Sequence, residues 1–379
     1  MLNDYIFYIE KGEYLHAHKG MIGQFLTTKE QFSSSYTEFI NSSKKKILLF
    51  DISIIKSNEE KIKIKNQILD ALAKNIFVIV TSSEINDWQY EIFEQIDYQN
   101  VLIFVNASLI DHKFKNASYN FIFGYSYNFL NFYKNDRPDL LDKLTPPYPP
   151  KPLLADILLG SQKQHRDLIF NFVKNNTFYN NVIMSYRNIE NFSYIFNEDD
   201  FQPCEPNWCV YEKDNVLFLH SSNQFFTMDF NRNYYLQMAE IIPTNIYNQS
   251  NYSIIAETNP SSTVFSFFSE KTFKPILCKR LFIAVTNRYY LRSLRELGFK
   301  TFDGIIDESY DLIEDDQLRW TTAMKQLEWL YEQDTVDIIN KIHVILEYNF
   351  HHLMMLIDKQ INLLESKLDY FIDNFQFIG

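Results

Sequence analysis

The sequence predicts an α/β protein of two halves, followed by long C-terminal helices. In the first third, three apolar strands alternate with helical segments, and the strands are predicted at Lys44–Ile55, Ile76–Ser83 and Asn100–Leu109. The segment Asn58–Asn75 between the first two has Ile64, Ile68, Leu69 and Leu72 at helical spacing. Continuous apolar strands joined by helices are typical of a parallel sheet that is covered on both faces.

A proline-rich segment predicts the boundary between the two halves. Five of the seven residues from Pro146 to Pro152 are proline, and such a run continues neither a helix nor a central strand. The predicted organisation is therefore an N-terminal α/β domain (residues 1–145), a linker (146–152), a C-terminal α/β domain (153–330) and a helical segment (331–379).

The second half repeats the strand and helix alternation. Strands are predicted at Leu153–Ser161, Asn180–Asn188 and Tyr252–Asn259, and a fourth in RLFIAVTN. A helix is predicted at Gln162–Asn176, another in RYYLRSLRELG, and long helices over Asp315–Phe375. Residues 189–250 are polar and aromatic without a clear period, and the sequence predicts no elements there.

Composition narrows the class of protein. The 379 residues are enough for two domains, and no apolar run is long enough to cross a bilayer. The first residues lack the basic and apolar segments of a secretory signal, and three cysteines make no disulfide framework. These observations predict a cytoplasmic protein without a membrane span.

Charge and glycine content limit the ligands. A net charge of −12 argues against nucleic acid as a partner, because phosphate neutralisation needs a basic face. Only 8 glycines are present, and neither GxGxxG nor GxxxxGK[ST] occurs. Any phosphate must therefore be held by side chains and helix N-termini.

Four polar clusters of the second half fall at predicted strand ends or helix starts. They are Gln164-His165-Arg166, Tyr186-Arg187-Asn188, Glu257-Thr258-Asn259 and Ser269-Glu270-Lys271. Because the carboxyl ends of parallel strands converge on one crevice, we expect these clusters to share a site. Cations there suit a diphosphate, and a carboxylate suits sugar hydroxyls. Taken singly, each cluster is equally well an ordinary cap, surface ion pair or solvated face.

No metal site is expected. The pairs His351-His352 and His16-x-His18 have no acidic partner at ligand spacing. The acidic stretch Ile305–Asp316 lacks the glycine and the alternating oxygen ligands of a calcium loop. Asp315-Asp316 is predicted to begin a helix instead.

The stretch YSIIAETN, followed by FSFFSEKTFKPILCKRLFIAVTN, resembles the C-terminal signature of the α1,3-fucosyltransferase family. It is even more similar to fucosyltransferase-like proteins of phages, large viruses and marine bacteria, which carry a Thr/Ser-Glu-Lys-Thr-x-Lys-Pro motif. The resemblance covers Ile241–Arg319 well and His165–Asn188 loosely. The chain departs from the fucosyltransferase pattern at Thr258 and Asn259, where that family has Asn and Ser, and at Pro275.

The resemblance implies a GT-B architecture, in which two Rossmann-like domains face a cleft and the C-terminal one holds a nucleotide-sugar donor. It implies an inverting, metal-independent transfer from a GDP-fucose-like donor to a glycan or other hydroxyl acceptor, with no cofactor beyond that co-substrate. By position, Lys271 and Arg187 would contact the diphosphate, Glu270 the ribose or sugar, and Glu257 would adjoin the sugar pocket. The remaining donor-site candidates are Arg166, Tyr186, Asn259 and Ser269.

The catalytic base is expected from the first half, across the cleft from the donor. Glu84 follows a predicted strand and is the leading candidate, with Asp111 and His112 as alternatives. Glu84 is equally well an acid of a helix first turn. Two other functions stay open: a non-catalytic nucleotide- or carbohydrate-binding protein on the same fold, and a DNA-modifying glycosyltransferase, which the acidic charge disfavours.

Overall fold

A computed structural model describes most of the chain. The described residues are 5–9, 35–51, 55, 57–82, 92, 101–105, 107–109, 118–120, 129–130, 132–136, 138–142, 144, 150–160, 162–188, 193–196, 208–213, 216–221, 226–229, 233–236, 242, 244–263 and 265–374. The chain divides into two compact units. One takes Met1–Asn128, Ser262–Phe267 and Ile357–Gly379, and the other takes Phe129–Ser261 and Phe268–Leu356.

The first unit contains a five-stranded parallel sheet in the order β1-β2-β3-β4-β6. The strands of the sheet are β1 (Tyr5–Ile9), β2 (Lys45–Asp51), β3 (Phe77–Ser82), β4 (Val101–Val105) and β6 (Ser118–Asn120), and a further short strand is β5 (Ala107–Leu109). The predicted strand Asn100–Leu109 is two strands, because β5 leaves the sheet and pairs antiparallel with residues 265–267. In the described sheet, spatial order follows chain order.

Helices α1 (Tyr36–Asn41) and α2 (Asn58–Ala73) belong to this unit. The Ser57 hydroxyl accepts the Glu60 N–H at 3.2 Å and caps α2, and Ile64 and Ile68 pack against Val78 and the rest of the sheet core. Of the apolar positions predicted to face the core, Leu69 is 38% exposed. The buried apolar face of α2 is therefore narrower than the spacing of its apolar residues indicates.

The second unit contains a five-stranded sheet in the order β16-β14-β7-β8-β9. Its strands are β7 (Leu153–Leu158), β8 (Val182–Asn188), β9 (Ser193–Phe196), β14 (Ser250–Ile255) and β16 (Leu281–Ala284). All neighbours are parallel except β9, which is antiparallel to β8. The chain moves from β7 to β8 on one side and later adds β14 and β16 on the other, so the strand order reverses between β7 and β14.

The region without predicted elements contains two antiparallel hairpins. They pair β10 (Trp208–Lys213) with β11 (Val216–Ser221), and β12 (Phe226–Asp229) with β13 (Asn233–Leu236). The short strand β15 (Phe265–Phe267) is the partner of β5 in the first unit.

The remaining helices are α3 (Asp139–Asp142), α4 (Gln164–Lys174), α5 (Thr244–Tyr247), α6 (Glu270–Leu277), α7 (Tyr290–Glu296), α8 (Asp316–Tyr331) and α9 (Thr335–Asn374). The Asp315 carboxylate accepts the Leu318 N–H at 2.7 Å, so this residue caps α8, as a helix start at Asp315-Asp316 predicts. Among the described helices, none has the length and apolarity that a bilayer crossing requires.

A glycine ends α7. Gly298 has φ +89°, the N–H of Gly298 donates to the Arg295 carbonyl, and the Phe299 N–H donates to the Leu294 carbonyl. This pair of bonds is the Schellman arrangement. The His352 ring of α9 covers the turn, and its Nε2 lies 2.8 Å from the Leu297 carbonyl oxygen.

Candidate functional site

The site lies at the carboxyl edge of the second unit's sheet, where the strand order reverses. In doubly wound sheets, ligands bind outside the carboxyl ends of the strands at such a reversal. Here the turn after β7 leads into α4, and the loop after β14, Ala256–Pro260, leads towards α6. Three of the four predicted polar clusters lie in these segments.

Glu257, which follows β14, makes hydrogen bonds to the start of α6. Its side chain is buried, and its carboxylate accepts the N–H of Ser269 at 2.9 Å, the Ser269 hydroxyl at 2.6 Å and the Thr272 hydroxyl at 2.6 Å. Thr272 also shares a short hydrogen bond with the Tyr290 hydroxyl of α7. Because Ser269 is the N-cap of α6, this carboxylate fixes the helix N-terminus relative to the sheet.

The ionisation of Glu257 reflects both burial and its neighbours. Burial raises its pKa, and the adjacent Glu270 charge raises it further. The Lys271 charge and the Ser269 and Thr272 hydroxyls act in the opposite direction and do not fully offset burial. Ionisation of Glu257 is therefore harder than that of an exposed glutamate, although its donors reduce the cost of burial.

The Glu270–Lys271 pair occupies the first turn of α6. Lys271 Nζ lies 2.7 Å from Glu270 Oε1 and 3.3 Å from the Ser269 hydroxyl. The Glu270 side chain is 3% exposed and that of Lys271 is 27% exposed, so this is not a solvated surface pair. Glu270 Oε2 is buried and makes no hydrogen bond with any described residue.

Both members of the pair are charged. Burial alone would raise the pKa of Glu270, but the charges of Lys271 and Lys274 outweigh it, and the pKa lies below its ordinary value. Burial alone would lower the pKa of Lys271, but the charges of Glu270 and Glu257 outweigh it, and the pKa is raised. The partly exposed ammonium of Lys271 therefore lies beside the buried carboxylate of Glu270, one oxygen of which accepts no hydrogen bond from a described residue.

The α4 side of the reversal contributes two cations. Arg166 is buried, and its Nη2 donates to the Ala256 carbonyl at 3.2 Å. Lys163, the N-cap residue of α4, donates from Nζ to the Thr258 carbonyl at 2.7 Å. A Cβ at Gly160 would lie 3.3 Å from Arg166 Nη1, so the glycine leaves room for the guanidinium beneath the turn.

His165 is the most deeply buried residue of its cluster. It is 0% exposed, and its ring packs 5.6 Å from the Trp320 ring. Burial and then the Arg166 charge lower its pKa to about 3, so the imidazole is neutral at physiological pH. Neither ring nitrogen makes a hydrogen bond of normal geometry with a described residue.

A second arginine also binds the loop after β14. Arg319 of α8 is buried and donates to the Thr286 carbonyl at 2.9 Å and to the Pro260 carbonyl at 3.2 Å. Together with Arg166 and Lys163, it binds alternate carbonyls of the loop after β14. No local sequence pattern points to Lys163, Thr272 or Arg319 as site residues, because a hydrogen bond to a distant residue leaves no such pattern.

The structure brings some of the predicted residues together. Five of them lie close together at the strand reversal, as their contacts and electrostatic interactions show. They are Ser269, Glu270, Lys271, Glu257 and Arg166. Tyr186 is buried, stacks on Phe170 at 4.9 Å and donates a short hydrogen bond to the Asp167 carboxylate.

The other predicted residues are placed less fully. Asn259 is half-buried in the loop after β14. The backbone of Arg187 lies in β8, but its side chain is outside the described part of the structure. Glu84, Asp111 and His112 lie outside the described residues altogether, so their roles stay predictions.

Comparison of the chain with protein-family models, with curated proteins and with solved structures found no match. Within the described residues, no group of three or more His, Cys, Asp and Glu side chains is arranged to hold a metal ion.

Proposed function

We propose that the protein is a cytoplasmic glycosyltransferase of GT-B architecture that transfers a sugar from a nucleotide-diphosphate donor, with a GDP-fucose-like donor favoured. The acceptor is a hydroxyl of a glycan or another molecule. The observation that carries the proposal is the Glu270–Lys271 pair at the N-terminus of α6, in which the carboxylate is buried and the ammonium is partly exposed. Glu257 fixes this helix start at the strand reversal.

The cations of this edge suit a leaving diphosphate. Lys271 is charged and partly exposed. The charge of Arg166 lies close enough to lower the pKa of Lys271, whereas the charges of Glu270 and Glu257 raise it. The N-terminus of α6 adds its partial positive charge. Charges held in place before the reaction stabilise the negative charge that develops as the sugar–phosphate bond breaks, because no reorganisation is then needed.

The buried acceptor of Glu270 suits a hydroxyl group of the donor. A buried carboxylate oxygen without a hydrogen bond costs about 1–3 kcal/mol, and a hydroxyl that donates to it removes that cost. A ribose or a sugar supplies such a hydroxyl next to a phosphate. The neighbouring Lys271 and Glu270 would then bind adjacent parts of one donor.

Transfer with inversion also needs a base for the acceptor proton. Glu84 remains our candidate, with Asp111 and His112 as alternatives. If Glu84 is the base, Glu84→Gln should preserve donor binding and lower turnover by about 10²-fold or more. Unchanged turnover in Glu84→Gln, alongside an inactive Lys271→Ala, would place the base elsewhere.

A thermal-shift panel of GDP, UDP, CMP and dTDP tests the nucleotide site, because a ligand that binds only the folded state raises its stability. At least one diphosphate should raise Tm in the wild type and not in Lys271→Ala. Turnover is then measured as the nucleotide released from the matching sugar donor, with and without acceptors. If the transfer is metal-independent, this turnover should persist in excess chelator. Binding without any turnover would instead favour a non-catalytic binding protein, and absence of binding across the panel would overturn the proposal.

A further inference from the structure

The connection between β14 and α6 leaves the second unit and returns to it. Connections from a strand to the following helix are usually about 2–6 residues long, whereas this one runs from Ala256 to Ser269. Its middle part, Ser262–Phe267, belongs to the first unit, and the chain enters the second unit again at Phe268. The boundary between the units therefore falls just before Phe268 and the N-cap residue of α6, Ser269.

Phe267 is anchored in the first unit. It is 2% exposed and belongs to the same hydrophobic cluster as Phe39, Val78 and Val80. Its backbone lies in β15, where it pairs with Ala107 of β5. Core packing and strand pairing therefore both hold this residue in the first unit.

Phe268 is anchored in the second unit. It is 0% exposed, and the centre of its ring lies 4.9 Å from that of Tyr290 of α7. The Tyr290 hydroxyl shares a short hydrogen bond with Thr272 in the first turn of α6, and Thr272 donates to the Glu257 carboxylate. Phe268 therefore packs against the same group of side chains that fixes the start of α6.

A single peptide bond joins these two anchors. The bond is rigid and holds consecutive Cα atoms about 3.8 Å apart, so only two backbone rotations separate Phe267 from Phe268. A change in the packing of Phe267 therefore displaces the chain that enters α6 or strains one of the anchors. The next residue, Ser269, donates to Glu257 from its N–H and its hydroxyl, and Lys271 follows in the first turn of the helix.

We propose that Phe267 is a positioning residue for the candidate donor site. It transmits the packing of the first unit's core, through Phe268, to the start of α6 and so to Lys271. The first unit would then influence the affinity of the second unit for an anionic ligand without Phe267 touching that ligand. The link to α6 rests on the contacts of the two phenylalanines, and its effect on nucleotide affinity rests on the proposed function.

Hydrogen exchange of the full chain without ligand tests the link itself. In Phe267→Leu, the amides from Ser269 to Phe273 should exchange faster than in the wild type by about 5-fold or more, because the start of α6 opens more readily. The matched control is Phe39→Leu, since Phe39 is a fully buried phenylalanine of the same cluster. Both variants should lower Tm, but Phe39→Leu should leave those amides within about 2-fold of the wild type. Phe267→Ala, which removes the whole ring, should accelerate exchange at α6 further.

Nucleotide affinity is the second measurement, made by calorimetry with the diphosphate that the thermal-shift panel selects. Phe267→Leu should weaken binding by about 5-fold or more, and Phe39→Leu should change it by less than about 2-fold. Equal exchange at α6 in the two leucine variants, or unchanged affinity in Phe267→Leu, would overturn the role of Phe267 and leave the proposed function intact. Faster exchange in Phe267→Leu, in a protein whose wild type binds no nucleotide, would support the link to α6 and overturn the proposed function.

Discussion

Glu257 makes structural contacts that its place in the sequence does not reveal. Its position after an apolar strand predicts a functional carboxylate, and the resemblance implies a neighbour of the sugar pocket. In the structure its oxygens accept hydrogen bonds from Ser269 and Thr272, both at the start of α6. These hydrogen bonds fix the start of α6, the helix that contains Lys271, and a contact with sugar stays a prediction.

Removing the Glu257 carboxylate should destabilise the second unit. Glu257→Met keeps the approximate shape and leaves one N–H and two hydroxyls buried without their acceptor, at about 1–3 kcal/mol each. We expect the free energy of unfolding in urea to fall by about 3 kcal/mol or more. Glu314→Met, at a side chain that is 89% exposed, is the control and should change little. Equal stability of the two variants would contradict the role given to Glu257.

His165 should make the protein sensitive to acid. Its pKa is about 3 in the folded state and near 6.5 in the unfolded chain, so the stability that it contributes is present above pH 6.5 and is lost as the pH falls towards 3. Between pH 7.5 and 5 the loss should be about 2 kcal/mol. Urea unfolding at both pH values should show this loss in wild type and not in His165→Gln.

The control for His165 is a histidine that folding leaves exposed. The side chain of His351 is 74% exposed, and His351→Gln leaves the buried His165 imidazole in place, so the loss that His165 causes should remain in this variant. Other titrating groups are common to all three proteins and cancel in the comparison. An identical loss in His165→Gln would mean that this imidazole is not buried in neutral form.

At the scale of elements, apolar runs predicted the strands and their parallel arrangement, but not the order of the strands in each sheet. The predicted strands at Ile76–Ser83 and Tyr252–Asn259 are confirmed as β3 and β14. β3 is shorter at both ends, whereas β14 (Ser250–Ile255) begins and ends earlier than predicted, so Glu257 and Asn259 lie in the following loop. The hairpins β10–β11 and β12–β13 were not predicted, because aromatic and polar residues there follow no clear alternation. The strand reversal was also not predictable, since strand order depends on contacts distant in sequence.

The turn that ends α7 should tolerate no side chain at Gly298. A Cβ there would lie 2.7 Å from His352 Nε2, and φ is +89°, so Gly298→Ala adds a clash to backbone strain. Strain alone costs about 1–2 kcal/mol. Gly304 has φ +81° and open space around it, so Gly304→Ala measures the strain without the clash.

The difference between the two glycine variants isolates the packing of α9 on this turn. Gly298→Ala should lower the free energy of unfolding by more than Gly304→Ala does. In a His352→Ala background the ring is gone, and the two costs should converge. A difference that persists in that background would mean that the ring is not the obstacle.

At the scale of the whole molecule, the two units should respond differently to nucleotide. Hydrogen exchange with a diphosphate that binds should slow in the first turns of α4 and α6, because ligand contacts suppress local opening there. Core amides of the first sheet, such as those of β3, should exchange as in the free protein. Protection confined to the first unit would contradict the location proposed for the donor.

The loop Ala256–Pro260 has one more consequence, for how the sequence can change over time. Arg166, Lys163 and Arg319 bind it through the carbonyls of Ala256, Thr258 and Pro260, and these contacts do not depend on the side chains at those positions. Substitutions there can accumulate while the backbone keeps its course. Two chains that share this backbone path could therefore differ in sequence at these positions.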